Sequence, residues 1–207
     1  MWRSILDFVF PAQCAACSAL GSGLCEACVP LLSRDIDVRL AALRVRGYGS
    51  YEGALRNAVL AVKDGRRDVA EALGERIAPL VETARILVPV PTTAKRRRTR
   101  GFDGVAEIAR RAAELAGSSF VEALTQRAGD MQRGRSREQR LSAHGRFACD
   151  RRVLGRRITL VDDVCTTGAT LADCVRAVEE AGGSVEGAVV VAVTKTPAAW
   201  HHPTERH

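Results

Sequence analysis

Aromatic residues are scarce: Phe, Tyr and Trp make up 4% of the 207 residues. Single-stranded nucleic acid is commonly gripped by stacking its bases on exposed rings, and this chain is poorly supplied for that mode. Long hydrophobic runs are also missing. Apolar stretches such as 188–193 fall far short of the roughly 20 residues that a membrane-spanning helix needs. The N-terminus, MWRSILDFVFPAQC, has a short apolar run broken by Asp7, which argues against a secretory signal. The expectations are therefore no membrane insertion, a cytoplasmic location and reduced cysteines. Only four histidines occur, three of them in the last seven residues. None lies near Cys165 in sequence, so a Cys–His nucleophile there is not indicated.

What is present is positive charge. Lys and Arg total 31 against 24 Asp and Glu, a formal net charge of +7. Such a balance favours anionic partners, phosphates or nucleic acid. The length suits one medium domain with a small appendage.

Four of the seven cysteines cluster as Cys14-x2-Cys17-x7-Cys25-x2-Cys28. Two neighbouring C-x-x-C turns aim four thiolates at one ion, and Gly21, Ser22 and Gly23 let the chain reverse between them. The spacing reads as a structural zinc knuckle, since four sulfurs leave no open coordination position. The competing reading is a redox-active or disulfide-bonded pair, which the following sequence does not frame with a strand and helix.

Around the knuckle, Trp2, Ile5, Leu6, Val9 and Phe10 suggest a short amphipathic helix, and a connector follows Pro30. Strands are expected over 44–53, 85–91, 119–124, 158–162 and 185–194. Helical spacing marks 51–63, 68–81, 105–115 and 168–181. Alternating strands and helices imply an α/β fold with a parallel, doubly wound sheet. The segment 126–157 lacks sustained periodicity and carries Arg127, Arg133, Arg135, Arg137 and Arg140. It reads as a closing loop or as a nucleic-acid-binding arm.

The most informative stretch is ITLVDDVCTTGATL at 158–171. An apolar strand ends in adjacent Asp162 and Asp163, then a loop of Thr166, Thr167, Gly168, Ala169 and Thr170 opens a helix. Backbone N–H groups and hydroxyls there suit a phosphate. Carboxylates a few ångströms away suit vicinal sugar hydroxyls. Helix capping would account for one acid, but not for both together with the loop.

DDVCTTGAT resembles the phosphoribosyl pyrophosphate (PRPP) motif of the type I phosphoribosyltransferases. The whole chain resembles one branch of that superfamily, the ComF family linked to competence and DNA uptake. The likeness rests on the four-cysteine knuckle, Lys63 after a helix, VPVP followed by a basic run and RGF, and the acidic motif, in that order. Two departures stand out: RGFDG at 100–104 where the family usually reads RGFNQ, and RFACDRR at 146–152 in place of an Asn near an AF pair.

The resemblance implies an α/β phosphoribosyltransferase-like sheet with an N-terminal four-cysteine zinc knuckle, arranged as 1–45 helix, knuckle and hood, 46–197 phosphoribosyltransferase-like domain, and 198–207 tail. It puts the 5-phosphate on 166–170, and the ribose hydroxyls and transition-state stabilisation on Asp162 and Asp163. Magnesium-bound pyrophosphate would face Lys95, Arg98, Arg100 and Gly101, with Lys63 as a further candidate ligand. That basic run reads equally as a solvated or nucleic-acid-binding patch. The function implied is transfer of phosphoribosyl to an unknown acceptor with release of pyrophosphate. Alternatives are a PRPP- or single-stranded-DNA-binding module acting with DNA-uptake proteins, or a PRPP-sensing regulator.

Overall fold

The computed structural model describes residues 12–32, 35–40, 42–83, 85–93, 97–99, 101–127 and 145–194. The N-terminal helix expected around Trp2, the tail, Lys95, Arg96, Arg100 and most of the arginine-rich 126–157 segment lie outside the described residues. Among those described, no helix is long and apolar enough to cross a membrane.

After the short helix α1 (Val29–Leu32), the chain forms a hairpin, β1 (Ile36–Leu40) and β2 (Leu43–Ser50). Helices α2 (Gly53–Lys63) and α3 (Arg67–Ile77) come next, then β3 (Ile86–Pro89), α4 (Gly104–Ala116), β4 (Ser119–Phe120) and β5 (Leu124–Gln126). The last elements are β6 (Phe147–Cys149), β7 (Arg157–Cys165), α5 (Ala169–Glu180) and β8 (Ser184–Val193). Six strands form one sheet in the order β1-β2-β8-β7-β3-β4, parallel except for β1 at one edge. The expected α/β class, a mainly parallel sheet flanked by helices with four cysteines gathered at the N-terminal end, is what the chain adopts.

Alternation along the strands divides the core between two faces. Leu87, Val161, Val189 and Val191 point toward α2, α3 and α4, with Leu55, Val59, Leu73 and Ile108 packed against them. Val88, Leu160 and Val190 point the other way, toward Leu171, Cys174 and Val178 of α5. Central strands buried on both sides are apolar nearly throughout, which is why 188–193 reads as an unbroken hydrophobic run and 158–161 is interrupted only by the buried Thr159.

Four sequence expectations need correction. β1 lies in what the sequence offers only as a connector; it pairs antiparallel with β2 from Ile36↔Gly47 to Leu40↔Leu43. The strand expected over 119–124 is two: β4 ends at Phe120, a turn follows in which the Ala123 N–H donates to the Val121 carbonyl, and β5 leaves to pair with β6. The ends of the 126–157 segment are correspondingly ordered, with Gln126↔Phe147 closing a two-stranded antiparallel ladder. Finally, the strand carrying the acids does not stop at Asp162. β8 is long enough to pair with it through Cys165↔Val193, so both acids sit within the strand.

Candidate functional site

β3 pairs with β7 only as far as Pro89↔Val161, with one further bond from the Val90 N–H to the Val161 carbonyl. β7 runs on beside β8, so its last residues project past the end of β3. The chain leaves β3 through α4 toward β4 on one side and leaves β7 through α5 toward β8 on the other. The crevice between β3 and β7 is thus a topological switch point, where open α/β sheets bind their ligands. A cavity of about 270 Å³ occupies it. That is close to the lower end, roughly 300 Å³, of the usual range for small-molecule sites.

Asp162 and Asp163 line this cavity together. Asp162 is 8% exposed, and its Oδ1 accepts from the Asp163 N–H at 2.8 Å. Burial, reinforced by the charge of Asp163, pushes the Asp162 carboxyl well above the usual carboxylate range; Lys63 counteracts only in part. Asp163 Oδ1 accepts from the Val164 N–H at 2.7 Å, and its Oδ2 lies 3.1 Å from Lys63 Nζ. Lys63 ends α2, where a lysine is ordinarily a solvated surface group, yet here it reaches across the crevice, 6.0 Å from the centre of the Tyr51 ring. The fold therefore brings Lys63 to the acid pair, and does so across 100 residues of sequence.

Behind the acids, Gly168 (φ +75°) turns the chain into α5. A Cβ there would come within 2.3 Å of Leu40, so the end of β1 braces the loop and only glycine fits beneath it. Ala169 begins α5, and its N–H donates to Thr167 Oγ1 at 3.4 Å. Thr170 reaches the cavity wall, whereas Thr166, Thr167, Gly168 and Ala169 lie beyond it, the two threonines exposed.

The facing wall is the chain after β3. Pro91, Thr92 and Thr93 line the cavity, and the Arg97 N–H donates to the Thr93 carbonyl at 3.0 Å. Arg98 is exposed, Gly101 takes a left-handed turn (φ +76°), and neither lines the cavity. Asp103 caps α4: its Oδ1 accepts from Val105 N–H at 3.1 Å and Ala106 N–H at 3.3 Å. Its Oδ2 accepts from the Thr92 N–H at 3.2 Å, tying the wall to the helix. Sequence reasoning missed this role, although an Asp two residues ahead of an apolar-periodic segment is a capping signature. It also missed Gln126, Arg146 and Phe147, which close a third side from the β5–β6 ladder. No local signal marks them, because that ladder joins segments 21 residues apart at its tip.

The four knuckle cysteines stand apart from the crevice. Their sulfurs all lie within 4.8 Å of one another. Zinc–sulfur bonds of about 2.3 Å put tetrahedral sulfurs roughly 3.8 Å apart, so the cluster needs little adjustment to hold such an ion. Burial opposes ionisation of Cys14, but N–H groups of Cys25, Cys17 and Ala16 outweigh it and bring the thiol down to about 6. Hydrogen bonding with Cys17 and Cys25, with burial added, pushes Cys28 up to about 12. Backbone donors prepared to stabilise a thiolate are what a metal-binding cluster requires.

No protein-family model matches the chain. Among curated proteins, the orotate phosphoribosyltransferase of Methanopyrus kandleri is 42% identical over 79 residues, which is 38% of this chain and 42% of the relative. That of a Nocardioides species is 47% identical over 49 residues, 24% of this chain and 27% of the relative. The chain thus spans less than half the length of the curated relatives it matches. A solved phosphoribosyltransferase from Corynebacterium diphtheriae is 19% identical, covering 84% of this chain and 82% of its own, with a TM-score of 0.42. The orotate phosphoribosyltransferase of Mycobacterium tuberculosis is 18% identical over 81% of each chain, with a TM-score of 0.38. Both of these curated relatives are orotate phosphoribosyltransferases.

Proposed function

We propose that the chain is a PRPP-binding, phosphoribosyltransferase-type protein of the ComF kind. The observation that carries the reading is the placement of Asp162 and Asp163 at the switch-point crevice, with Lys63 3.1 Å from Asp163 and the N-terminus of α5 behind them. In this reading the 5-phosphate lies on 166–170, held by Thr166, Thr167 and Thr170 and by backbone N–H groups of Gly168 and Ala169. Asp162 and Asp163 accept the ribose hydroxyls, and pyrophosphate faces 91–103, with Lys63, Lys95, Arg98, Arg100 and Gly101 as its candidate contacts.

An acceptor nucleophile attacks C1 of the ribose while the bond from C1 to the pyrophosphate oxygen breaks. The electron pair leaves with pyrophosphate. Positive charge growing on the ribose is stabilised by the acid pair, and charge on the leaving group by the neighbouring cations. Magnesium bound with PRPP would supply further neutralisation of that leaving group. The knuckle, with zinc on Cys14, Cys17, Cys25 and Cys28, belongs to an N-terminal hood over 1–45 that meets the acceptor, beside a phosphoribosyltransferase-like unit over 46–197. The likeness to ComF proteins extends the reading to a cytoplasmic role in DNA uptake.

A second reading is supported by Arg97 and Arg98, which are exposed beside the crevice wall. In it the crevice binds PRPP without catalysis, as a module or regulator, and the basic run contacts single-stranded DNA beside DNA-uptake proteins. Titration of PRPP into the protein by calorimetry, with and without magnesium, tests the first reading. Micromolar, magnesium-assisted binding that disappears in D162N/D163N supports it, and unchanged affinity in that variant refutes the site. Pyrophosphate release with candidate acceptors then separates catalysis from binding. Charge reversal at Arg97 and Arg98 lowers the salt slope of DNA binding if the second reading holds.

A further inference from the structure

Between the thiol knuckle and the acidic crevice lies one tight turn, 63–66. At its first residue, Lys63 Nζ faces Asp163 Oδ2 at 3.1 Å. Three residues on, Arg66 forks onto Asp68, Nε to Oδ1 at 2.8 Å and Nη2 to Oδ2 at 2.6 Å. The same Nη2 donates to the backbone carbonyl of Gln13 at 2.5 Å, directly before Cys14. One guanidinium therefore joins segments 53 residues apart.

The turn itself has little slack. The Arg66 N–H donates back to the Ala61 carbonyl at 3.0 Å and the Gly65 N–H to the Val62 carbonyl at 3.1 Å, with Gly65 at φ +102°. This is a helix end closed by two bonds around a left-handed glycine. A displacement of Arg66 is consequently felt at the last turn of α2, which carries Lys63. A second contact seats the knuckle at the same place. A Cβ on Gly23 would come within 2.9 Å of the backbone of Asp68 and Val69, so the knuckle backbone rests on the first turn of α3.

A surface ion pair such as Arg66–Asp68 has little effect by itself. The arrangement matters because the fork leaves Nη2 aimed at the knuckle, and a lysine cannot form the same pair of planar bonds and the carbonyl bond together. We infer that Arg66 is a positioning residue: by fastening the 63–66 turn to the knuckle, it holds Lys63 opposite Asp163. That this sets the grip on a pyrophosphate-bearing ligand rests on the reading of the crevice given above.

Lys63 is one of three lysines in the chain, with Lys95 and Lys195, so its reactivity is easily resolved. The test is limited acylation of the intact protein by an acetyl ester, with Lys63 modification quantified by mass spectrometry against Lys195. In R66A, with folding verified by circular dichroism, Lys63 is expected to react roughly two- to five-fold faster, the scale of a released, partly exposed ion pair. R66K, which retains one donor for the Gln13 carbonyl, is expected to fall between R66A and the wild type. Should R66A not fold, D68N removes the fork's anchor and leaves Arg66 in place, with the same direction expected. An unchanged Lys63 rate in a folded variant overturns the inference.

The binding arm is a cycle: R66A is expected to weaken magnesium–PRPP binding when Lys63 is present and to have no further effect in K63A. Additive losses would show that Arg66 does not act through Lys63. If the wild type binds no PRPP, the functional reading fails, and the acylation rates still decide the role of Arg66.

Discussion

The thiol knuckle and the acidic crevice are both compact polar constellations, yet they are assembled in opposite ways. The knuckle takes all four of its side chains from 14–28, so short-range chain geometry brings them within 4.8 Å of one another. The crevice gathers its groups from α2, the 90–93 wall, the start of α4, the β5–β6 ladder and the end of β7, and only the sheet brings them together. A local constellation depends on what it binds for its order. A scaffolded one takes its order from the sheet, and burial there opposes the charged form of a group such as Asp162. The comparison can be broken at either end.

The largest effect is expected at the knuckle. If the roughly 10–16 kcal/mol with which such sites hold zinc is shared among four thiolates, losing one costs about 3 kcal/mol, or about 100-fold in metal affinity. C14S should therefore lose the single zinc expected by elemental analysis of the wild type. Hydrogen exchange should accelerate across 14–28 while the β7 and β8 amides keep their protection. Equal loss of protection in β7 and β8 would mean that the knuckle and the sheet unfold as one unit, and the contrast between the two regions would fall.

At the crevice the corresponding change should stabilise. The carboxyl of Asp162 is raised by burial and by Asp163, so its protonated form is favoured in the folded state. Its contribution to stability is complete below the unfolded carboxylate pKa of about 3.9 and is lost as pH rises through the raised folded value. D162N, neutral at every pH, should exceed the wild type by about 1 kcal/mol at neutral pH, about 2–4 °C in Tm. The gap should close as pH falls toward 4, and PRPP affinity should collapse. Paired melts across pH measure this, and a constant gap would show that the acid pair stores no cost in the folded protein.

The same contrast explains what could be read from the chain before its structure. C-x-x-C spacing and the DDVCTTGAT run are local, so the knuckle and the acid pair were both legible, as was the parallel sheet from its apolar strands. β1 was overlooked although Ile36, Val38 and Leu40 alternate with Asp37 and Arg39, the pattern of an edge strand with one exposed face; the run is only five residues long, and the packing of Leu40 on the second core cluster and on Gly168 is visible only in the fold. The long β7 was hidden by its two acids, which look like a strand's end until β8 is seen alongside. Lys63 was legible only through resemblance, and Arg146 not at all, since nothing near either residue announces a partner 27 residues or more away.

The most local effect should come from Asp103, whose two oxygens serve two different elements. Oδ1 takes the first N–H groups of α4 and Oδ2 takes Thr92 N–H in the crevice wall. Asparagine caps a helix as well as aspartate does, but it has one carbonyl oxygen, and its amide would set a donor against a donor on the other side. D103N should therefore keep α4 intact and release Thr92, at about 1 kcal/mol for one unmade bond. The readout is exchange of the Thr92 amide, accelerated while the α4 amides are unchanged, together with weaker PRPP binding. A Thr92 amide that stays protected would mean that the wall is held by its own turn, where Arg97 N–H meets the Thr93 carbonyl, and that the carboxylate is needed only as a cap.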